Sequence, residues 1–331
     1  MTQPIKTVVI GGGTGIFPVT TALKHLKTQI TTIIAVSDSG GSTGRIRDEF
    51  GFQPVGDLRQ SLAAMAEGDG QKWISKLLLY RFTRGNGLKG HNLGNLILTA
   101  LQDMTGNTSQ ALAKAQQIFR ISGKVIPSTH DNIDIKIYYT DGTTKVGEDY
   151  LNPEEKSDKM VKKISLTPPA TLNPLAVDAI QDADLIIIGP GDYYASLLAT
   201  LLPRGCKAAF AKSQAKILYI SNLMTRCRQT DHMTAGDHVA GIEKTIDKPV
   251  DFILMNTEAI PQDILDHYAE GEEYQVADDL DGDNRVIRAA ILNNSPQETE
   301  AGDALSRSYL RHDSQKLMKV LKKLIKHHVT A

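Results

Sequence analysis

The chain has 331 residues, a formal net charge of -1 and 41% hydrophobic residues, which allows a substantial core in one large α/β domain or two smaller ones. An aromatic content of 5% argues against stacking platforms for single-stranded nucleic acid, and the near-neutral charge argues against a basic nucleic-acid surface. Cys206 and Cys227 lack metal-ligand spacing, no apolar run is long enough to span a membrane, and the first residues lack a signal peptide, so we expect a cytoplasmic protein with no nucleic-acid partner and no membrane insertion.

In chain order, Lys6 to Ile10 is β-branched, continuous and stopped by glycines, as a buried strand should be. A helix is expected from about Pro18 to Leu26, then a strand over Thr31 to Val36. Strand, Gly-rich turn, helix, strand opens a doubly wound parallel sheet. From Asp57 to Gln117 the pattern is helical, with Asp57, Asn92 and Thr108 as caps and Gly68 and Gly106 as stops. Residues 122–169 read as a β-rich insertion or flap. There Asn132 to Tyr138 alternates, Asp141-Gly142 turns, and Lys156 to Lys163 is charged and solvated. The alternation then resumes: helix Pro174 to Asp182, strand Asp184 to Ile188, helix Tyr193 to Leu202, strand Lys216 to Ser221, helix Asp237 to Ile246, strand Val250 to Asn256. Tyr274 to Val276 and Val286 to Ile291 are further candidate strands. A basic amphipathic helix, Ser314 to His328, follows. The fold class is α/β: a Rossmann-like, doubly wound, mostly parallel sheet with a β-hairpin insertion, in a single domain over 1–331.

Four loops carry the chemistry. Gly11-Gly12-Gly13-Thr14-Gly15 falls short of the dinucleotide fingerprint because Ile16 stands where the third glycine belongs. Its amides ahead of a helix still favour a phosphate. Asp38-Ser39-Gly40-Gly41-Ser42-Thr43-Gly44-Arg45, with Arg47, gathers hydroxyls, free amides and guanidinium groups beside a carboxylate, an anion-site composition. Asp38 could meet a ribose hydroxyl or hold Mg²⁺ against phosphates, alone or with Asp57. His91, Asn92 and Asn95 flank Gly90 and Gly94, and His91 is a candidate general acid or base. Gly189-Pro190-Gly191-Asp192 precedes a helix with Tyr193, Tyr194 and Ser196. Asp192 would repel a phosphate there unless it caps the helix or holds a cation. Asn222 and Asn256 follow buried strands and could bond a base or sugar. Candidate catalytic groups are therefore Asp38, Asp57 and His91, and the candidate metal ligands are Asp38 and Asp57.

Taken together and in order, the segments GGGTG, SDSGGSTGRIR, GDLR, HNLGN, GPG, SNLMT and PVDFILMN resemble the gluconeogenesis factor family (YvcK-like), within the superfamily of 2-phospho-L-lactate transferase. The resemblance covers nearly the whole chain. It implies a CofD-like fold, a cytoplasmic homodimer and a nucleotide ligand, UDP-N-acetylglucosamine or a related UDP-sugar, at the strand carboxyl ends. It also implies a role in carbon metabolism, cell shape and peptidoglycan supply, with a regulatory protein partner. The transferase branch implies an alternative, Mg²⁺-dependent transfer from a nucleoside diphosphate substrate. A nicotinamide-linked oxidoreductase is the third reading. Mapped by motif, the binding loops are Gly11 to Gly15, Asp38 to Gly44, His91 with Asn92 and Asn95, and Gly189 to Gly191. The chain departs from the family pattern at Asp192, where a small residue is usual, and at Thr225 to Thr230, where T-Q-P-G-E-T is common.

Overall fold

In the computed structural model, which describes residues 3–13, 15–39, 41–66, 72–151, 159–293 and 309–329, the strands are as follows. They are β1 (Ile5–Ile10), β2 (Thr28–Ile34), β3 (Lys124–Pro127), β4 (Asp134–Tyr139), β5 (Thr144–Val146), β6 (Val161–Thr167), β7 (Leu185–Ile188), β8 (Lys216–Ile220), β9 (Phe252–Asn256) and β10 (Val286–Ala289). Seven of them form one sheet in the order β3-β2-β1-β7-β8-β9-β10, and every pairing in it is parallel. The order reverses between β1 and β7, as the doubly wound reading requires. Such a switch point is where an open α/β sheet forms a crevice at the carboxyl ends of its strands.

The near-continuous apolar strands are explained by burial on both faces. Val8, Ile10, Ile186, Ile188, Ile217 and Tyr219 point into one core. Val9, Leu185, Ile187, Leu218 and Ile220 point into the other. Helices Pro174–Gln181, Cys206–Lys212 and Ala235–Ile246 supply Ile180, Phe210 and Ile242 to the first core. Helices Phe17–Lys24, Gly56–Ala66, Leu93–Thr105 and Ser314–Leu324 supply Leu23, Leu62, Leu98 and Leu321 to the second. No helix of the described residues is long and apolar enough to cross a membrane.

Several local expectations shift. The segment 122–169 divides: β3 is the edge strand of the main sheet, whereas β4, β5 and β6 form a separate antiparallel sheet in the order β5-β4-β6. Ile135, Ile137 and Tyr139 of β4 face the first core, so this small sheet lies over the same side as helix Ala235–Ile246. The Asp141-Gly142 turn stands, with the Thr143 amide donating to Asp141 Oδ1 at 2.8 Å and Gly142 at φ +85°. The charged stretch Lys156 to Lys163 is not simply solvated: its last residues enter β6, where Val161 and Ile164 are buried, and residues 156–158 lie outside the described residues.

The cap of helix Thr108–Phe119 is Asn107, whose side chain accepts from the Gln110 amide, because Thr108 is already helical. The turn expected as helix at Tyr193 to Leu202 is wound as a π-helix over Tyr193–Leu198 before α-helix Ala199–Leu201. Tyr274 to Val276 offers a single bridge, Met224 to Gln275, rather than a strand. Gly68 lies outside the described residues.

Ile187 sits fully buried in β7 at the centre of the sheet. Ile187→Ala should lower the unfolding free energy by about 2–5 kcal/mol through lost burial and a cavity, measured by urea denaturation.

Candidate functional site

The first loop packs against the fourth rather than standing open. The Gly189 amide donates to the Ile10 carbonyl at 2.8 Å. A Cβ on Gly15 would collide with the Pro190 carbonyl oxygen and lie 2.8 Å from Gly191 Cα. Asn222, just after β8, holds Gly191 from both sides: its Nδ2 donates to the Gly191 carbonyl at 2.9 Å, and its Oδ1 accepts from the Gly191 amide at 3.4 Å. Ile16 is wholly buried and would contact a Cβ on Gly11 at 2.6 Å. The residue that breaks the dinucleotide fingerprint therefore belongs to the core.

Asp57 departs from its expected capping role. It lies in the first turn of helix Gly56–Ala66 with its carboxylate under the first loop. A Cβ on Gly12 would run into that carboxylate and lie 2.8 Å from Ser196 Oγ. The Gly13 amide donates to the Asp57 carboxylate, with Gly13 at φ +57°, in the left-handed region that favours glycine. The amide nest of Gly12 and Gly13 thus embraces a carboxylate of the chain itself. Thr14 lies outside the described residues.

The second loop is a loop only through Ser39. Helix Gly41–Phe50 follows, so Ser42, Thr43 and Gly44 form a first helical turn instead of a flexible cradle. A Cβ on Gly44 would strike the Ser39 carbonyl. Asn95 Nδ2 donates to Ser42 Oγ at 3.4 Å and to Thr43 Oγ1 at 3.3 Å, which joins the second and third loops. Asn95 Oδ1 is buried without a hydrogen-bond partner among the described residues. Asn92 is a buried cap: its Oδ1 accepts from the Asn95 amide at 3.2 Å, and its Nδ2 donates to the Leu79 carbonyl at 2.8 Å. Gly40 lies outside the described residues.

Two adjacent cavities, of about 260 Å³ and 180 Å³, occupy the crevice. Gly12, Gly13, Gly15, Pro190, Gly191, Ser196 and Asn222 line the first. Asp38, Ser42, Thr43 and Asn95 line the second. Asp57, Gln60, Glu148, Asp192 and Arg226 line both. Several expected residues stand back. His91 and Arg45 line neither cavity: His91 Nδ1 lies 3.3 Å from Ser42 Oγ, and burial, then the nearby Arg45 charge, pushes the imidazole below its ordinary pKa. Arg47 is drawn away to Asp134 of β4, at 2.7 Å. Asn256 bonds the Glu258 backbone and the Ile291 amide, a turn role.

Carboxylates dominate the electrostatics. Burial, reinforced by Asp38, pushes Asp57 up to about 7. Burial, then the charges of Asp38, Asp57 and Asp192, drives Glu148 well above the usual carboxylate range. Glu148 comes from the insertion and is tied to the second loop. Its Oε2 accepts from the Ser39 amide at 3.2 Å, while its own amide donates to Ser39 Oγ at 3.1 Å. Among the described residues no three His, Cys, Asp or Glu side chains converge as a ready metal cage. Asp38 and Asp57 could hold Mg²⁺ only with phosphate and water completing its shell, which is that ion's habit. A cation there would relieve the mutual repulsion of the carboxylates.

Asp192 does cap its helix, Oδ1 accepting from the Ala195 amide at 2.9 Å. Its other oxygen lies 3.7 Å from Arg226 Nε, so the two departures from the family pattern face each other. Glu148, Gln60, Arg226, Tyr268, Glu273, Arg311 and His312 line the site without having been read as site residues. None sits in a Gly-rich loop. The replaced T-Q-P-G-E-T stretch was the one signal pointing toward Arg226.

Comparison with known proteins places this geometry. Residues 7–295 match the 2-phospho-L-lactate transferase CofD family. The chain belongs to that family. Within it, the gluconeogenesis factor of Bacillus subtilis is 36% identical over 329 residues, covering 98% of this chain and all of the relative. The gluconeogenesis factor of Halalkalibacterium halodurans is 38% identical over 268 residues, covering 80% of this chain and 81% of the relative. A crystal structure of a UPF0052 family member from Bacillus halodurans superposes with a TM-score of 0.86 at 32% identity, over 97% of this chain and 100% of the other. The α/β fold and the gluconeogenesis factor membership read from the motifs both hold.

The raised Asp57 has a pH consequence. Its folded pKa, about 7, lies above the ordinary 3.8. Folding therefore takes up a proton, and the stability this brings is full below about pH 4 and lost as pH rises through about 7. Asp57→Asn, which retains an oxygen to accept from Gly13, should gain stability relative to the native chain as pH rises from about 4 to about 7, by up to about 1.4 kcal/mol per pH unit, and the difference should level off above that. Parallel stability–pH curves for the two proteins in urea would contradict that assignment.

Proposed function

We propose that this chain is a cytoplasmic nucleotide-sugar-binding regulator, its ligand being UDP-N-acetylglucosamine or a close UDP-sugar. In this reading it acts as a homodimer, and a protein partner in carbon metabolism, cell shape and peptidoglycan supply senses occupancy. The observation that carries it is the two-lobed cleft at the switch point. Backbone and hydroxyl donors of Gly191, Ser196, Ser42 and Thr43 border that cleft, and His91, the candidate acid–base group, lines neither lobe. Such a cleft suits an elongated polar ligand with phosphates at its middle. The gluconeogenesis factor name of the relatives fits a control role.

A second reading, Mg²⁺-dependent transfer from a nucleoside diphosphate substrate, draws on the coupled carboxylates Asp38, Asp57 and Glu148. A metal between carboxylates and pyrophosphate would neutralise charge on the leaving group. The family takes its name from a transferase.

Calorimetric titration with UDP-N-acetylglucosamine, GTP and NAD, each with and without Mg²⁺, separates these readings. The regulator binds the UDP-sugar selectively and returns it intact. GTP preference with Mg²⁺, or cleaved ligand, transfers the assignment to the transferase, and NAD binding to the oxidoreductase. Within the regulator reading, Asp38→Ala and Gly41→Val should each weaken UDP-sugar affinity by about tenfold or more, about 1.4 kcal/mol. Unchanged affinity in both variants would remove the second loop from the site.

A further inference from the structure

Arg226 stands where the two cavities meet. It lines both lobes of the cleft, and the charged residues sharing that position are the carboxylates Asp57, Glu148 and Asp192. Arg311 lines the first lobe alone and Arg59 and Arg81 the second alone, so among the described residues Arg226 is the cation common to both. The guanidinium is oriented without being used up. Its Nη1 donates to Glu273 Oε1 at 2.9 Å. Its Nε approaches Asp192 Oδ2 only to 3.7 Å, an ion pair too long for a hydrogen bond. Nη2 makes no hydrogen bond with any described residue. The side chain is 31% exposed, against 11% for Glu273 and 23% for Asp192. A ligand in the cleft can therefore reach its open edge.

We propose that Arg226 is the built-in counter-ion for the ligand's diphosphate, swinging its Nε/Nη2 edge from Asp192 onto phosphate oxygens while Glu273 retains Nη1. This rests on the nucleotide reading above. An arginine fork matches two phosphate oxygens at once, and a lysine does not. Asp192 keeps its bond to the Ala195 amide when the guanidinium leaves, so the exchange strands no buried carboxylate. The guanidinium also supplies positive charge at the crossing itself, where the other charged residues lining both lobes are carboxylates. Arg226 is then the residue through which the cleft distinguishes a nucleoside diphosphate from its nucleoside.

The test compares UDP with uridine as probes on the native chain, Arg226→Gln and Arg226→Lys, by calorimetry for UDP and saturation-transfer NMR for uridine. The native chain should prefer UDP by tenfold or more. Arg226→Gln should lose most of that preference with uridine binding unchanged, and Arg226→Lys should fall between. If Arg226→Gln fails to melt cooperatively, Arg226→Lys carries the test, with at least a threefold loss confined to UDP expected. An unaltered UDP-to-uridine ratio in the folded variants, or an equal loss for both probes, overturns the proposal and leaves the nucleotide reading standing. A native chain that binds neither UDP nor UDP-N-acetylglucosamine overturns that reading and the proposal with it.

Discussion

The cleft depends on close approach at the end of β1. Where Gly12, Gly13 and Gly15 pass, an Asp57 carboxylate and the Pro190 carbonyl occupy the space that side chains would fill. A methyl group at Gly12 or Gly15 would separate the first loop from the helix bearing Asp57 and from the turn after β7. These contacts set the width of the crevice at the switch point. Asn222 fastens Gly191 from the next strand. Backbone amides, a carboxylate and two strand ends are thereby fixed relative to one another before any ligand arrives, and such preorganisation lowers the entropy lost on binding.

The same closeness creates the electrostatic problem of the site. Asp38 and Asp192 act on Asp57, and all three act on Glu148, across the cleft. Isolated in a half-buried crevice, such charges raise each other's pKa. The Arg59 charge acts on Asp57, and the chain offers three further remedies. The Gly13 amide donates to Asp57, the Ser39 amide donates to Glu148, and Arg226 stands against Asp192 and Glu273. None neutralises the cluster completely. Carboxylates so placed repel a bare anion unless a cation accompanies it. Loop composition alone would have pointed to the bare anion.

That contrast shows what could be read from residues in a row. The strand cores and the four Gly-rich loops were legible because burial, alternation and glycine runs are local patterns. The pairing of Ser42 and Thr43 with Asn95 brings together the second and third loops, which are distant in sequence. Two features were hidden. The helical start at Gly41 runs against glycine's poor helix propensity, and the Asn95 amide that bonds the Ser42 and Thr43 hydroxyls of its first turn comes from a distant helix. Glu148 and Arg226 enter from an insertion and from a loop after β8, more than a hundred residues from Asp38. Charge convergence over such separations leaves no spacing to recognise.

Glu148 also gives the insertion a reason to exist beyond covering one face of the sheet. The antiparallel strands pack Ile135, Ile137 and Tyr139 into the first core, which anchors them rigidly. Their far end delivers Glu148 to Ser39, and the two residues exchange hydrogen bonds in both directions. The amide of Asp149 adds a third bond to the Ser39 hydroxyl, at 3.3 Å. The second loop is therefore held from outside the main sheet by a residue whose charge is itself costly. Any ligand or cation that changes the ionisation of Glu148 alters the acceptor that the Ser39 amide faces. Glu148, which lines both lobes, thus joins the cleft to the small antiparallel sheet through its bonds to Ser39.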